Sequence, residues 1–198
     1  MRDLQVYGND LIVATHGRGF WVIDDISPLR QIDAALAADA WLFKPADAVL
    51  VDQGDDNGTP YQKDEPQAEN PADGAYLYYY LKADAAGPVA LEILDAQGTS
   101  LHTFSSEASA ARPARLGIPN TTALWRPEPQ PFSRAAGLHR VTWQPNTGRR
   151  DGFAEFGRRG PEEPTVTLPG EFTARLTVNG KSYTHTFSVR PDPRSPAQ

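Results

Sequence analysis

The chain has 198 residues, 39% of them hydrophobic and 22% charged, enough to bury one large or two small cores. It holds 18 Pro, 16 Gly and no Cys, which favours many turns over long helices and excludes disulfides, a thiolate nucleophile and Cys-based zinc or iron sites. A formal net charge of -6 and the lack of any basic stripe interleaved with aromatics argue against nucleic acid as a partner.

No apolar run approaches the roughly 20 residues of a membrane helix, and Met1, Arg2 and Asp3 open no signal peptide, so no membrane contact is expected. In chain order, Leu11 to Thr15 and Gly19 to Asp24 are short runs rich in β-branched and aromatic residues, separated by His16, Gly17 and Arg18, and they read as a hairpin or two neighbouring strands. Ser27-Pro28 is an N-cap and first-turn signal, and Leu29, Ile32 and Leu36 recur near helical spacing, which predicts one helix of about three turns ending at Asp39. Trp41 to Phe43 and Ala46 to Val51 look extended. Asp52 to Pro66 then loses apolar periodicity and gathers Asp, Gly and Pro, so residues 52–69 read as an acidic linker.

Beyond it the chain turns to strands punctuated by turns: Ala75 to Leu81, Val89 to Leu94, Ser100 to Phe104, Leu138 to Trp143, Glu171 to Val178 and Lys181 to Val189. Phe172, Ala174, Leu176 and Val178 alternate with polar residues up to Asn179-Gly180, a pair that tolerates positive φ and predicts a two-residue type I′ hairpin. Tyr183, His185, Phe187 and Val189 continue one apolar face after the turn. Asp95 to Gly98 is the turn that follows Val89, Leu91 and Ile93. The expected fold is all-β: an immunoglobulin or fibronectin III-like sandwich over 70–192, preceded by a hairpin and short helix in 1–51 and by the linker 52–69.

Asn9 to Ile32 (NDLIVATHGRGFWVIDDISPLRQI) resembles the closing segment of the β-propeller in bacterial sortilin-like BNR-repeat proteins, often grouped as glycosyl-hydrolase-like. Asn70 to Leu81, Val89 to Gly98, Ala135 to Trp143 and Leu168 to Arg194 resemble the C-terminal immunoglobulin-like or FlgD-like sandwich module of the same proteins. The resemblance implies that residues 1–51 carry terminal propeller strands, that the chain is a non-catalytic accessory module with the parent's β-propeller as partner, and that it resides outside the cytoplasm, extracellular or periplasmic. It also implies two alternatives: part of a glycoside hydrolase whose active site lies in the propeller, or a sortilin-like protein or peptide interaction module. The Asp-box pattern of BNR repeats, Ser-x-Asp-x-Gly-x-Thr-Trp, is absent.

No catalytic residue, cofactor or metal site is assigned. Candidate ligand-binding residues fall in two groups. His16, Arg18, Asp24 and Asp25 place a His, a cation and two carboxylates within ten residues, either as part of a site on a propeller face or as charges that fix a blade edge and cap the following helix. On an extended strand Asp24 and Asp25 point to opposite faces. Tyr76, Tyr78 and Tyr80 form either an exposed row for stacking sugar rings or β-forming residues of the core, as do Trp125 and Trp143. Carbohydrate or peptide is the expected class of ligand. Asp52, Asp55, Asp56 and Asn57 supply oxygen ligands suited to calcium without the EF-hand order, and Arg149, Arg150, Arg158 and Arg159 flank Phe153 and Phe156 in a Gly-rich loop.

Overall fold

A computed structural model describes residues 2–17, 19–50, 74–108, 132–145 and 169–193. Three sheets and one short helical segment make up these residues, so the protein is all-β as expected. The first sheet is an antiparallel meander of β1 (Asp3–Tyr7), β2 (Asp10–Ala14) and β3 (Phe20–Ile23). The sequence reading anticipated β2 and β3 and missed β1, although Leu4 and Val6 alternate there with Asp3 and Gln5. Gly8, at φ +60°, supplies the left-handed backbone that a two-residue turn between Tyr7 and Asp10 requires.

A 3-10 helix (Ser27–Gln31) runs into α1 (Ile32–Ala37), shorter than the three turns expected. Ser27 does not cap it. The cap position is Ile26, without a side-chain bond, and the Ser27 amide instead donates to Asp25 Oδ1 at 3.0 Å. With Pro28 fixing the first turn, the carboxylate two residues upstream takes the orphan donor.

The other two sheets share one core. A five-stranded sheet runs β5 (Ala48–Leu50), β11 (Lys181–Pro191), β10 (Gly170–Val178), β7 (Val89–Leu94), β8 (Ser100–Ser105), antiparallel except for the β5–β11 pair. A three-stranded antiparallel sheet runs β4 (Ala40–Leu42), β6 (Ala75–Leu81), β9 (Gly137–Trp143). Leu77, Tyr79 and Leu81 from one and Val89, Leu91, Ile93 and Leu176 from the other are sealed from solvent in the same cluster. Each such side chain contributes about 1.5–3 kcal/mol by leaving water.

Residues 40–50, expected to group with the N-terminal segment, supply a strand to each of these sheets, and Ala40, Leu42 and Ala48 lie in the shared core. The boundary expected at residue 52 therefore falls between strands of one core. Residues 51–73 lie outside the described set, so neither the acidic linker nor its calcium-type carboxylates are placed; the same holds for Trp125 and the Arg149 to Arg159 loop.

The tyrosine run explains β6. Ala75, Leu77, Tyr79 and Leu81 face the shared core, while Tyr76, Tyr78 and Tyr80 face a second cluster built on Ala35, Phe43, Ile32 and Trp41. A strand covered on both faces reads as a near-continuous apolar run. Tyr78 and Tyr79 are buried and Tyr76 and Tyr80 half-buried, so the expected alternative of an exposed aromatic row is not what the fold presents. Trp143 is likewise core, with ring centroids 5.2 Å from Phe172 and 5.9 Å from Phe187. Among the described residues no helix is long and apolar enough to cross a membrane.

Candidate functional site

The β1–β2 turn does not hang free. Ile26 N–H donates to the Asn9 carbonyl at 2.6 Å, the Arg30 guanidinium to the Gly8 carbonyl at 3.1 Å, and the Asp25 amide to Asp10 Oδ1 at 3.1 Å. These bonds hold the turn against the segment leading into the helix. Between them and the starts of β5 and β6 lies a cleft of about 410 Å³. Among the residues that line it are four aspartates, Asp10, Asp24, Asp25 and Asp47, and two tyrosines, Tyr7 and Tyr76.

Asp25 is the most constrained of these groups. Its φ of 56° places a non-glycine residue in the left-handed region, which Asp tolerates better than most side chains. That backbone turn corrects the expectation for an extended Asp24-Asp25 pair: the two residues lie past the end of β3 and both line the same cleft. Asp25 is only 8% exposed, and its Oδ2 is buried without a hydrogen-bond partner. Its backbone carbonyl accepts from the Tyr78 hydroxyl at 3.3 Å, tying the end of β3 to the outer face of β6. Burial raises the Tyr78 pKa, and the nearby Arg140 guanidinium acts in the opposite direction.

Asp47 is held differently. Its Oδ2 accepts from the Arg190 guanidinium and its Oδ1 from the Ser188 amide at 3.4 Å, so its charge is matched by β11. The Tyr76 ring carries the Arg140 guanidinium 5.1 Å from its centroid.

Of the candidates read from sequence, Asp24, Asp25 and Tyr76 meet at this cleft, joining two groups that lie fifty residues apart in the chain. Tyr78 supports it from behind. His16 sits at the other end of β2 from Asp10, with its Nδ1 3.3 Å from the Arg2 guanidinium, so it does not join the carboxylates. Tyr80 packs in the cluster around Phe43, and Arg18 lies outside the described residues. Tyr7, Asp10 and Asp47 were not singled out from sequence. The Gly8-Asn9 turn was a signal for the first two, whereas only the pairing of β5 with β11 brings Asp47 here. Among the described residues no three His, Asp or Glu side chains are placed to hold a metal ion.

No family model matches the chain and no curated protein matches it. Among solved structures, Pseudomonas fluorescens alkylpurine DNA glycosylase AlkC bound to DNA containing an abasic site analog aligns at 16% identity with a TM-score of 0.27. The alignment covers 82% of this chain and 36% of that one, and a likeness this slight carries no argument about fold or function.

Proposed function

We propose that the chain is a non-catalytic accessory module: an immunoglobulin-like sandwich that attaches to a larger β assembly, a BNR-repeat β-propeller, through the sheet β1–β3. What supports this reading is the two-sided apolar character of that sheet. The strand register puts Leu4, Val6, Leu11, Val13, Trp21 and Ile23 on one face, and Ile12, Ala14, Phe20, Val22 and Tyr7 on the other with Asp3, Gln5 and Asp10.

Leu4, Val6, Trp21 and Ile23 are 47%, 51%, 57% and 54% exposed, and Phe20 on the opposite face is 78% exposed. A sheet bordering water on one side alternates apolar and polar residues; a sheet apolar on both sides is one layer of a stack. Contiguous exposed apolar surface of this kind marks an interaction site. Propeller blades stack in that way, each covered on both faces by its neighbours.

The module's contribution is then to close or cap the propeller and carry the sandwich with it, outside the cytoplasm. The glycoside hydrolase alternative keeps its active site in the propeller, and none of its chemistry falls on this chain. The test is a sedimentation titration of the chain with a purified BNR-repeat propeller lacking its last blade. A complex is expected, lost in Val6→Lys/Ile23→Lys while the melting temperature of the chain is retained. Absence of a complex, or one indifferent to that pair of substitutions, would refute the reading.

A further inference from the structure

The cleft below the sheet has a chemistry that the docking surface does not use. Among the described residues four aspartates line it and no Lys, Arg or His does. An acidic lining alone is unremarkable, because solvated carboxylates repel one another weakly. Asp25 is different: it is only 8% exposed, Oδ1 accepts from the Ser27 amide, and Oδ2, like the Ser27 hydroxyl, has no hydrogen-bond partner among the described residues. A buried carboxylate oxygen without a donor costs on the order of 1–3 kcal/mol or more, so it calls for an ion, water or ligand group.

We infer that this cleft receives a basic side chain of a partner polypeptide, an arginine guanidinium above all, set between the Asp24 and Asp25 carboxylates and the ring of Tyr7. A guanidinium brings several planar donors and a cationic face that packs on aromatic rings, which suits carboxylates flanked by tyrosines. Tyr7 is 72% exposed at the mouth. The Arg140 guanidinium over Tyr76 is the same pairing made within the chain. A divalent metal fits poorly: Asp10 Oδ1 is committed to the Asp25 amide and Asp47 to Arg190 and Ser188, and among the described residues no three ligands converge. The inference concerns the chain itself and stands apart from the propeller reading.

The experiment is a titration of the full chain with N-acetyl-arginine amide, followed by backbone amide NMR at Gly8, Asn9 and Gly74 and by calorimetry. The neutral isostere N-acetyl-citrulline amide and calcium chloride form the comparison arms. Saturable shifts at those amides are expected with the arginine probe and not with citrulline. Asp25→Asn, which keeps the shape, should weaken binding about tenfold or more, the worth of one charge-assisted bond. Glu107→Gln, outside the cleft, should change it less than twofold. If Asp25→Asn does not give the wild-type melting profile, Asp24→Asn serves in its place. Equal response to citrulline, a response to calcium but not arginine, or unchanged affinity in a folded cleft variant would overturn the inference.

Discussion

Tyr79 ties the shared core to the segment that leads into β9. It is fully buried, its hydroxyl donates to the Ser133 carbonyl at 2.6 Å and accepts from the Ser133 amide at 3.1 Å, and its ring lies between Phe132 and His139 at centroid distances of 5.0 and 4.8 Å. Burial pushes its pKa up to about 12. One hydroxyl thus satisfies both backbone groups of an irregular segment entering β9. Tyr79→Phe keeps the ring and strands that pair, so a loss of about 1–3 kcal/mol is expected, seen as a lower urea midpoint with unchanged slope.

A second residue sets a pH response. Burial lowers the His185 pKa below its usual 6.5, the Lys44 charge adds to the lowering, and a hydrogen bond to the Leu42 backbone opposes it. The native state then binds the proton less tightly than the unfolded chain. The associated stability is fully present above about 6.5 and is lost as pH falls through that value toward the lower native one. His102, also lowered by burial, adds in the same direction. The melting temperature should fall between pH 7 and pH 5, and His102→Gln/His185→Gln should flatten that slope.

At the scale of elements, the β10–β11 hairpin is the best specified piece of the chain. Asn179 and Gly180 have φ of 47° and 77°, both positive, as a type I′ turn requires, and the two strands pair in register from Val178–Lys181 to Gly170–Val189. Gly180→Val forces a β-branched residue into the left-handed region and is expected to cost at least about 1 kcal/mol, read as a lower melting temperature. An unchanged value would mean that the hairpin does not rely on this turn. The entry to β6 is tighter still. A Cβ on Gly74, at φ +133°, would sit 2.1 Å from the Trp143 carbonyl oxygen, so the strand can start beside β9 only with glycine there. The helix is the opposite case: short, with no side-chain cap, and held by packing of Ala35 against Phe43 and Tyr78 rather than by its own sequence.

For the molecule as a whole, the two N-terminal pieces contribute unequally. The sheet β1–β3 is exposed or half-exposed along all three strands, whereas β4 and β5 complete the two core sheets. Removing residues 2–23 should leave a cooperative thermal transition within a few degrees of the full chain. A chain starting at Asn70 loses Leu42, Phe43 and Ala48 and uncovers Tyr76, Tyr78 and Tyr80, a deficit of several kcal/mol against a total of about 5–15. It should show no cooperative transition at 25 °C or above; a normal melt from that fragment would mean that β4 and β5 are dispensable.

What the sequence determined by itself was local. Period-two alternation located β7, β10 and β11, the Asn179-Gly180 pair set their hairpin, and Ala75 to Leu81 was legible as a strand with the bounds observed. These rest on nearest-neighbour chemistry that every residue carries with it. Only the tertiary structure decided which face of β6 the tyrosines occupy, because the second cover comes from α1 and Phe43, some forty residues away. It likewise decided that residues 40–50 join the core, since a three-residue strand has too few alternations to declare a partner. The cleft was divided across the sequence for the same reason. Asp24 and Asp25 share it with Tyr76 and Asp47 through a left-handed backbone at Asp25 and a parallel pairing of β5 with β11, and neither leaves a periodic trace in the chain.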